Sequence, residues 1–512
     1  MKRLGEKNLT AGRERWFAAA LVLTYAFLYL QYMNVLWVRL TAVYYPWVVI
    51  LLLIALLPRY KSEKIELRLM LLFAAWMFLT RVLRWDVKAY IENWRAYGPA
   101  FPEDTASIVH ALVIYPTLAA CLILRGRNRE RLLDGIAMVA AAFSTLTTSF
   151  CLYAVLNKTD IPIPHTKWYL CVFGNYRLWI LGKNPNIGCT WYFLGIVFLA
   201  YLFCRTKNRF SRGVIVLAGL LNYVVLAMTF SRSAMLAFSL CTGLLVLVLV
   251  LRRFSPKTVG KKLVCTVLVL GLIVPLAYKS FSLTTRGVDM LSTVLLQSRS
   301  TPETEELGGE ETPAAAPAAY RFNAANPETA ALSPVPVQLR GASPALLAAD
   351  GEEEKSSDGK DITYEDDRGF RDSGRFSIYK TIIPTMQREP LRLLIGCLEG
   401  DVMKYSNEIR GKEQPHFHDV FLQVLCLTGV AGLLLVLAFC VLLGRRVIRV
   451  IYSGAPMTVS VLALMCVGVF AYNIVEIGLF TTSNVASIAA YIAAGAVLAY
   501  TYEQEESRKN PE

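Results

Sequence analysis

Along most of the chain, runs of about twenty apolar residues alternate with short polar stretches. At the helical rise, a run of that length crosses the hydrocarbon core of a bilayer. The pattern predicts helical spans near 16–37, 42–58, 67–83, 106–124, 133–156, 189–204, 213–230, 234–251, 262–280, 418–444, 457–479 and 484–502. The expected fold is therefore an all-α polytopic membrane protein with about twelve transmembrane helices, both termini on the same side. The third run is the least regular, because Arg81 and Arg84 press on its end. The first, from Trp16, follows basic residues without a signal-peptidase site and predicts a retained signal anchor.

The alternation stops once, between the ninth and tenth runs. It divides the chain into a helical part at 1–280 with a smaller polar loop at 157–188, a large loop at 281–417, and a helical part with a polar tail at 418–512. Within the large loop, 301–367 is rich in Ala, Pro, Glu and Ser, as in Thr312-Pro313-Ala314-Ala315-Ala316-Pro317. Such a composition buries too little apolar surface to offset chain entropy, and predicts a disordered tether. From 369 to 410 the character changes. Phe376, Tyr379, Ile382, Ile383 and Met386 recur at helical spacing, predicting a short amphipathic helix kinked at Pro384 and stopped by Pro390.

Charge orients the spans. Lys2, Arg3, Lys7, Arg13 and Arg15 precede the first, and Arg59, Lys61, Lys64 and Arg68 follow the second. Arg125, Arg127, Arg129 and Arg131 follow the fourth, and Arg205, Lys207, Arg209 and Arg212 the sixth. Arg252, Arg253, Lys257, Lys261 and Lys262 follow the eighth, and Arg445, Arg446 and Arg449 the tenth. Every second loop is basic, so these loops and both termini are expected in the cytoplasm. The loops at 157–188 and 281–417 then face outward. Composition agrees: 55% of residues are hydrophobic, only 18% are charged, and the mean hydropathy is +0.43. The net charge of +14 is accounted for by those loops, and no nucleic-acid-binding signature accompanies it.

Two of only four histidines stand together at one membrane boundary, in Pro415-His416-Phe417-His418-Asp419. A neutral imidazole is available as a base near pH 7. Taken alone, His418 reads equally well as an interfacial side chain reaching for water. Arg232, in Phe230-Ser231-Arg232-Ser233-Ala234, lies in a very short outer turn where orientation demands no cation. An arginine at the edge of a bundle points to an anionic partner, against the plainer alternative of headgroup contact. Arg375 opens the amphipathic segment of the large loop, and Arg177 lies in the smaller one, ahead of the turn signal Asn184-Pro185-Asn186. Asn473 and Glu476 are polar groups inside the eleventh run and read as helix–helix packing. The chain carries no P-loop, HExxH, Gly-x-Ser-x-Gly or GxGxxG motif, and no cysteine pair at metal-ligand spacing. Most cysteines, Cys151 among them, fall within apolar runs and behave as small hydrophobes. Cys171, Cys189 and Cys397 lie in or beside the outer loops, and spacing assigns them no pairing.

Taken in order, these features resemble the O-antigen ligase/polymerase family of membrane glycosyltransferases. The resemblance is carried by the loop with Arg177 and Asn-Pro-Asn, Phe230-Ser231-Arg232-Ser233-Ala234 between two spans, and Gly374-Arg375 before an amphipathic segment. It continues through His418-Asp419-x-x-Leu422-Gln423 to Gly429-x-x-Gly432, so that it covers about residues 170 to 435. The family's usual His-Asn is His418-Asp419 here, and the 301–367 insert is atypical. The resemblance implies transfer of an oligosaccharide from an undecaprenyl-diphosphate-linked donor to a glycan, lipid or cell-wall acceptor. It places the reaction on the outer side of a bacterial cytoplasmic membrane, without a cofactor or metal. By the same resemblance His418 is the general base with His416 as the fallback, and Arg232, Arg375 and Arg177 meet the diphosphate. A transporter or flippase of lipid-linked saccharides, using the same arginines for recognition, is the alternative.

Overall fold

The computed structural model describes residues 2–32, 64–84, 103–157, 159–162, 169–174, 177–180, 185–299, 386, 390–397, 419–474, 479–480 and 485–510. The helices are α1 (Lys2–Tyr32), α2 (Ile65–Arg84), α3 (Glu103–Ile123), α4 (Gly126–Leu156), α5 (Pro185–Arg205), α6 (Arg209–Met228), α7 (Arg232–Phe254) and α8 (Val259–Arg299). Beyond the large loop come the short α9 (Pro390–Ile395), then α10 (Val420–Tyr452), α11 (Met457–Asn473) and α12 (Val485–Lys509). Eleven long helices thus coincide with eleven of the expected spans, and the remaining one, at 42–58, lies outside the described residues. Seven of them are long and apolar enough to cross a membrane by a strict measure of length and charge. The chain is a multi-pass membrane protein whose spans are all helical.

The irregular third run is helical as α2, with Arg81 buried near its end. Pro390 opens a helix, since proline at the first helical position gives up only an amide that has no partner there; the segment it was expected to stop lies, apart from Met386, outside the described residues. One expectation needs correction. The loop at 157–188 is not simply a turn-rich connection. It holds a three-stranded antiparallel sheet of β1 (Ile161–Pro162), β2 (Tyr169–Gly174) and β3 (Arg177–Ile180), in which Cys171 pairs with both Ile161 and Ile180 and Gly174 with Arg177. In β2 and β3 the described side chains are those of Cys171 and Leu178, both buried. Pro185 begins α5, earlier than the expected edge at 189. Helix α8 likewise continues to Arg299, well past 280. At about 1.5 Å per residue its 41 residues span roughly 60 Å, twice the hydrocarbon thickness of about 30 Å.

The bundle is built around α12, an alanine-rich helix buried along almost its whole apolar length between α3 and α11. Small residues allow this closeness: a Cβ on Gly495 would strike the Leu118 carbonyl of α3. Helix α8 is the opposite case, packed mainly on α7 with no buried residue in its apolar window, as lipid contact requires. Aromatic side chains fill the centre. Phe480 meets Phe73, Phe439, Phe470 and Tyr491 at centroid distances of 6.1–6.3 Å. Tyr29 stacks on Phe143 at 5.0 Å and meets Trp191 edge-on at 5.1 Å.

One end of the bundle is tied by ion pairs. Arg446 bonds Glu66 and Glu505, Arg449 also bonds Glu505, Arg129 bonds Glu503, and Lys64 bonds Glu506. Arg205 joins Asp134 and Glu130. These cations come from the basic loops of the sequence, which therefore gather at a single end. At that end Arg252, in the last turn of α7, donates to the Ala455 carbonyl and, at 3.1 Å, to the Ser460 hydroxyl, just beyond α10. Helices α7 and α10 touch and run parallel, so their first residues share the opposite end.

Candidate functional site

At that opposite end, α6 stops at Met228 and α7 starts at Arg232 with three residues between. So tight a reversal needs a residue outside the right-handed region, and Phe230 supplies it at φ 50°. A non-glycine residue there costs about 1–2 kcal/mol. The buried serines on either side of Arg232 turn inward, Ser231 Oγ lying 3.0 Å from Ser233 Oγ, while Arg232 itself is exposed. No hydrogen-bond or ion-pair partner of Arg232 occurs among the described residues. Its position is also electrostatically unfavourable, because a helix N-terminus is already positive. Together the guanidinium and the first amides of α7 make a field that attracts anions.

The second element at this end is the start of α10. Asp419 caps it: Oδ1 accepts the Leu422 N–H at 2.7 Å, and the Asp419 carbonyl accepts the Gln423 N–H at 2.9 Å. The motif spacing Asp419-x-x-Leu422-Gln423 is therefore a capping arrangement. Aspartate accepts this bond as the family's asparagine would, so the departure in sequence leaves the cap intact. Burial raises the Asp419 carboxyl above the ordinary range, opposed in part by the Leu422 and Phe421 N–H groups.

Three turns on, the helix breaks. Gly429 adopts φ 68°, ψ −173°, and the neighbouring carbonyls lose their helical donors. Other elements replace them. Cys397 N–H donates to the Cys426 carbonyl at 2.6 Å, Arg81 reaches the Leu427 carbonyl at 3.3 Å, and the Trp76 indole N–H donates to Thr428 at 2.8 Å. The same Arg81 nitrogen donates to the Cys397 carbonyl at 2.7 Å, so one buried guanidinium joins the two backbone segments. Backbone meets backbone here. A Cβ on Gly429 would strike Leu394, and one on Gly396, at φ 84°, would strike Leu427. Met386, Cys397, Leu422, Cys426 and Leu427 close the contact with apolar surface. The break at Gly429 is thus the seat on which residues 390–397 of the large loop dock.

Arg177 lies in β3, which packs on α5 and on α6, the helix leading into the Arg232 turn; its side chain is outside the described residues. Arg375, His416 and His418 lie outside them too, as do Glu476, residues 301–367 and the segment expected to be amphipathic apart from Met386. The Asn473 amide donates to Val469 of its own helix at 2.7 Å, and its buried oxygen has no partner among the described residues. Nothing in the sequence singles out Trp76 or Gly396, while Arg81 shows only as an irregularity of the third run and Cys397 only as a cysteine in or beside the outer loops. A buried arginine in an apolar run was the available signal. Among the described residues, no three His, Cys, Asp or Glu side chains lie close enough to hold a metal ion.

A multi-pass helical bundle with an exposed arginine opening one helix, on the same end as a capped and broken helix, defines a membrane protein with an anion-attracting face at that end. Residues 213–437 match the family model described as O-antigen ligase, which supports the resemblance to the O-antigen ligase/polymerase family. The match includes Arg232, Arg375, His416, His418 and the break at Gly429, and leaves Arg177 outside. No curated protein and no solved structure matches the chain.

Proposed function

We propose that the chain transfers an oligosaccharide from an undecaprenyl-diphosphate-linked donor to an acceptor hydroxyl at the outer face of a bacterial cytoplasmic membrane. The observation that carries this reading is the family match over 213–437, which brackets the exposed Arg232 and the His418 motif in one domain. In the reaction, His418 takes the proton of the acceptor hydroxyl as its oxygen bonds to the anomeric carbon, with His416 as the fallback base. The bond from that carbon to the donor phosphate breaks, and the diphosphate leaves with the electron pair, inverting the centre. Arg232 and Arg375, with Arg177 as a third contact, bind the diphosphate and stabilise the charge gathering on it. Guanidinium groups do the work a divalent cation would otherwise do, so transfer should persist in excess chelator.

The decisive experiment is transfer by the purified protein from a lipid-linked oligosaccharide. His418→Ala should lower turnover about 10²–10⁴-fold, the usual contribution of a general base. Arg232→Ala should weaken donor use while the protein folds normally. Full transfer by His418→Ala would remove the histidine from its role, and loss of transfer on adding chelator would restore a metal to the mechanism.

A further inference from the structure

The outer sheet holds a contact that the proposed transfer does not use. Cys151 is near the C-terminal end of α4, and Cys171 is on β2. Their Sγ atoms are 2.8 Å apart and both residues are fully buried. Unbonded carbons, which are smaller than sulfur, pack no closer than about 3.5 Å. The Tyr192 hydroxyl of α5 lies 3.3 Å from Cys151 Sγ, so α4, α5 and the sheet meet at this pair. Cys397 behaves differently, donating its thiol to a backbone carbonyl at 2.9 Å.

We propose that Cys151 and Cys171 are joined by a disulfide that fastens the sheet to α4. The cross-link rests on the orientation taken under the proposed function, in which 157–188 faces an oxidising exterior where disulfides persist. Its formation is an exchange: the two thiols release two protons and pass two electrons to an incoming disulfide of the envelope, which leaves as two thiols. Both sulfurs are shut in once the sheet has docked, so the exchange precedes docking. The consequence reaches the candidate site. Gly174 of β2 pairs with Arg177 of β3, so the link holds the arginine-bearing strand against the helices.

The test uses the full chain in its own membranes. Proteins are denatured in a light maleimide, reduced, labelled with a heavy maleimide and mapped by mass spectrometry. Heavy label on Cys151 and Cys171, with light label on the other cysteines, is the expected result. Light label on both overturns the cross-link. Orientation is read separately, by placing Thr159→Cys or Lys207→Cys, both exposed positions, in a Cys151→Ala/Cys171→Ala background and treating intact cells with a membrane-impermeant maleimide. Labelling at 159 alone supports the orientation, and with a light-labelled pair it overturns only the disulfide. Labelling at 207 alone overturns the orientation, whatever the pair shows. If the double-alanine background does not fold, the mapping of the wild-type chain still decides the cross-link.

Discussion

At the scale of single residues, Arg232 stands out because its charge does nothing for the fold. It is exposed, it opens a helix whose dipole repels it, and the serines beside it carry the buried contacts of the turn. Arg232→Ala should therefore change the thermal midpoint in detergent hardly at all, within the ±0.5 kcal/mol usual for surface positions. Lysine keeps the charge but not the two-pronged geometry, so Arg232→Lys should restore donor use only in part. Asp419 gives a contrasting prediction, with a sign set by its environment. Burial favours its protonated carboxyl, so the stability it contributes is present below the ordinary carboxylate value of about 3.9 and fades as pH rises through its raised native value. Asp419→Asn keeps the acceptor for Leu422 N–H and cannot ionise. It should melt with the wild type at about pH 4 and above it at neutral pH. Asp419→Ala loses the cap at every pH, at a cost of about 1 kcal/mol.

At the scale of elements, the positions of the helices were legible in sequence and their interruptions were not. A span is a local property, readable from one run of apolar residues, and eleven such runs became helices. The break at Gly429 depends on partners at Arg81, Trp76 and Cys397, far away in sequence, and no local pattern reports them. Gly429-x-x-Gly432 could be noticed as a motif, but its purpose, a backbone crossing with Leu394–Gly396, needed coordinates. The left-handed Phe230 is hidden for the opposite reason, because bulky residues so seldom adopt that conformation. The sheet was nearer to hand: Tyr169-Leu170-Cys171-Val172-Phe173 is rich in strand-forming residues, outweighed by the turn signals that follow it. Two substitutions test the crossing. Gly429→Ala adds both a strained φ and a collision with Leu394, and should abolish the folded yield, whereas Gly213→Ala, facing open space, should not. Arg81→Met keeps apolar bulk but strips donors from the Cys397 and Leu427 carbonyls. The expected loss is about 1–3 kcal/mol for each carbonyl left bare, measured as a lower thermal midpoint.

At the scale of the whole molecule, the two ends of the bundle divide their tasks. One end is a lattice of paired charges, and the other carries an arginine without a partner among the described residues. Arg446 is the hinge pin of the lattice. It joins α10 to Glu66 of α2 and Glu505 of α12, and its guanidinium lies 4.3 Å above the Tyr502 ring, whose hydroxyl also bonds Glu66. Glu66 is only 1% exposed, so removing Arg446 strands a buried carboxylate. Breaking such a pair from one side costs about 3–5 kcal/mol, whereas replacing both partners by neutral groups is often close to neutral. Arg446→Met should therefore lower the thermal midpoint sharply, and adding Glu66→Gln should recover most of the loss. Neither change touches the opposite end, where α7 and α10 begin. The fraction that folds should thus transfer at the wild-type rate per molecule, and a selective fall in turnover at unchanged stability would show that the charged end communicates with the site.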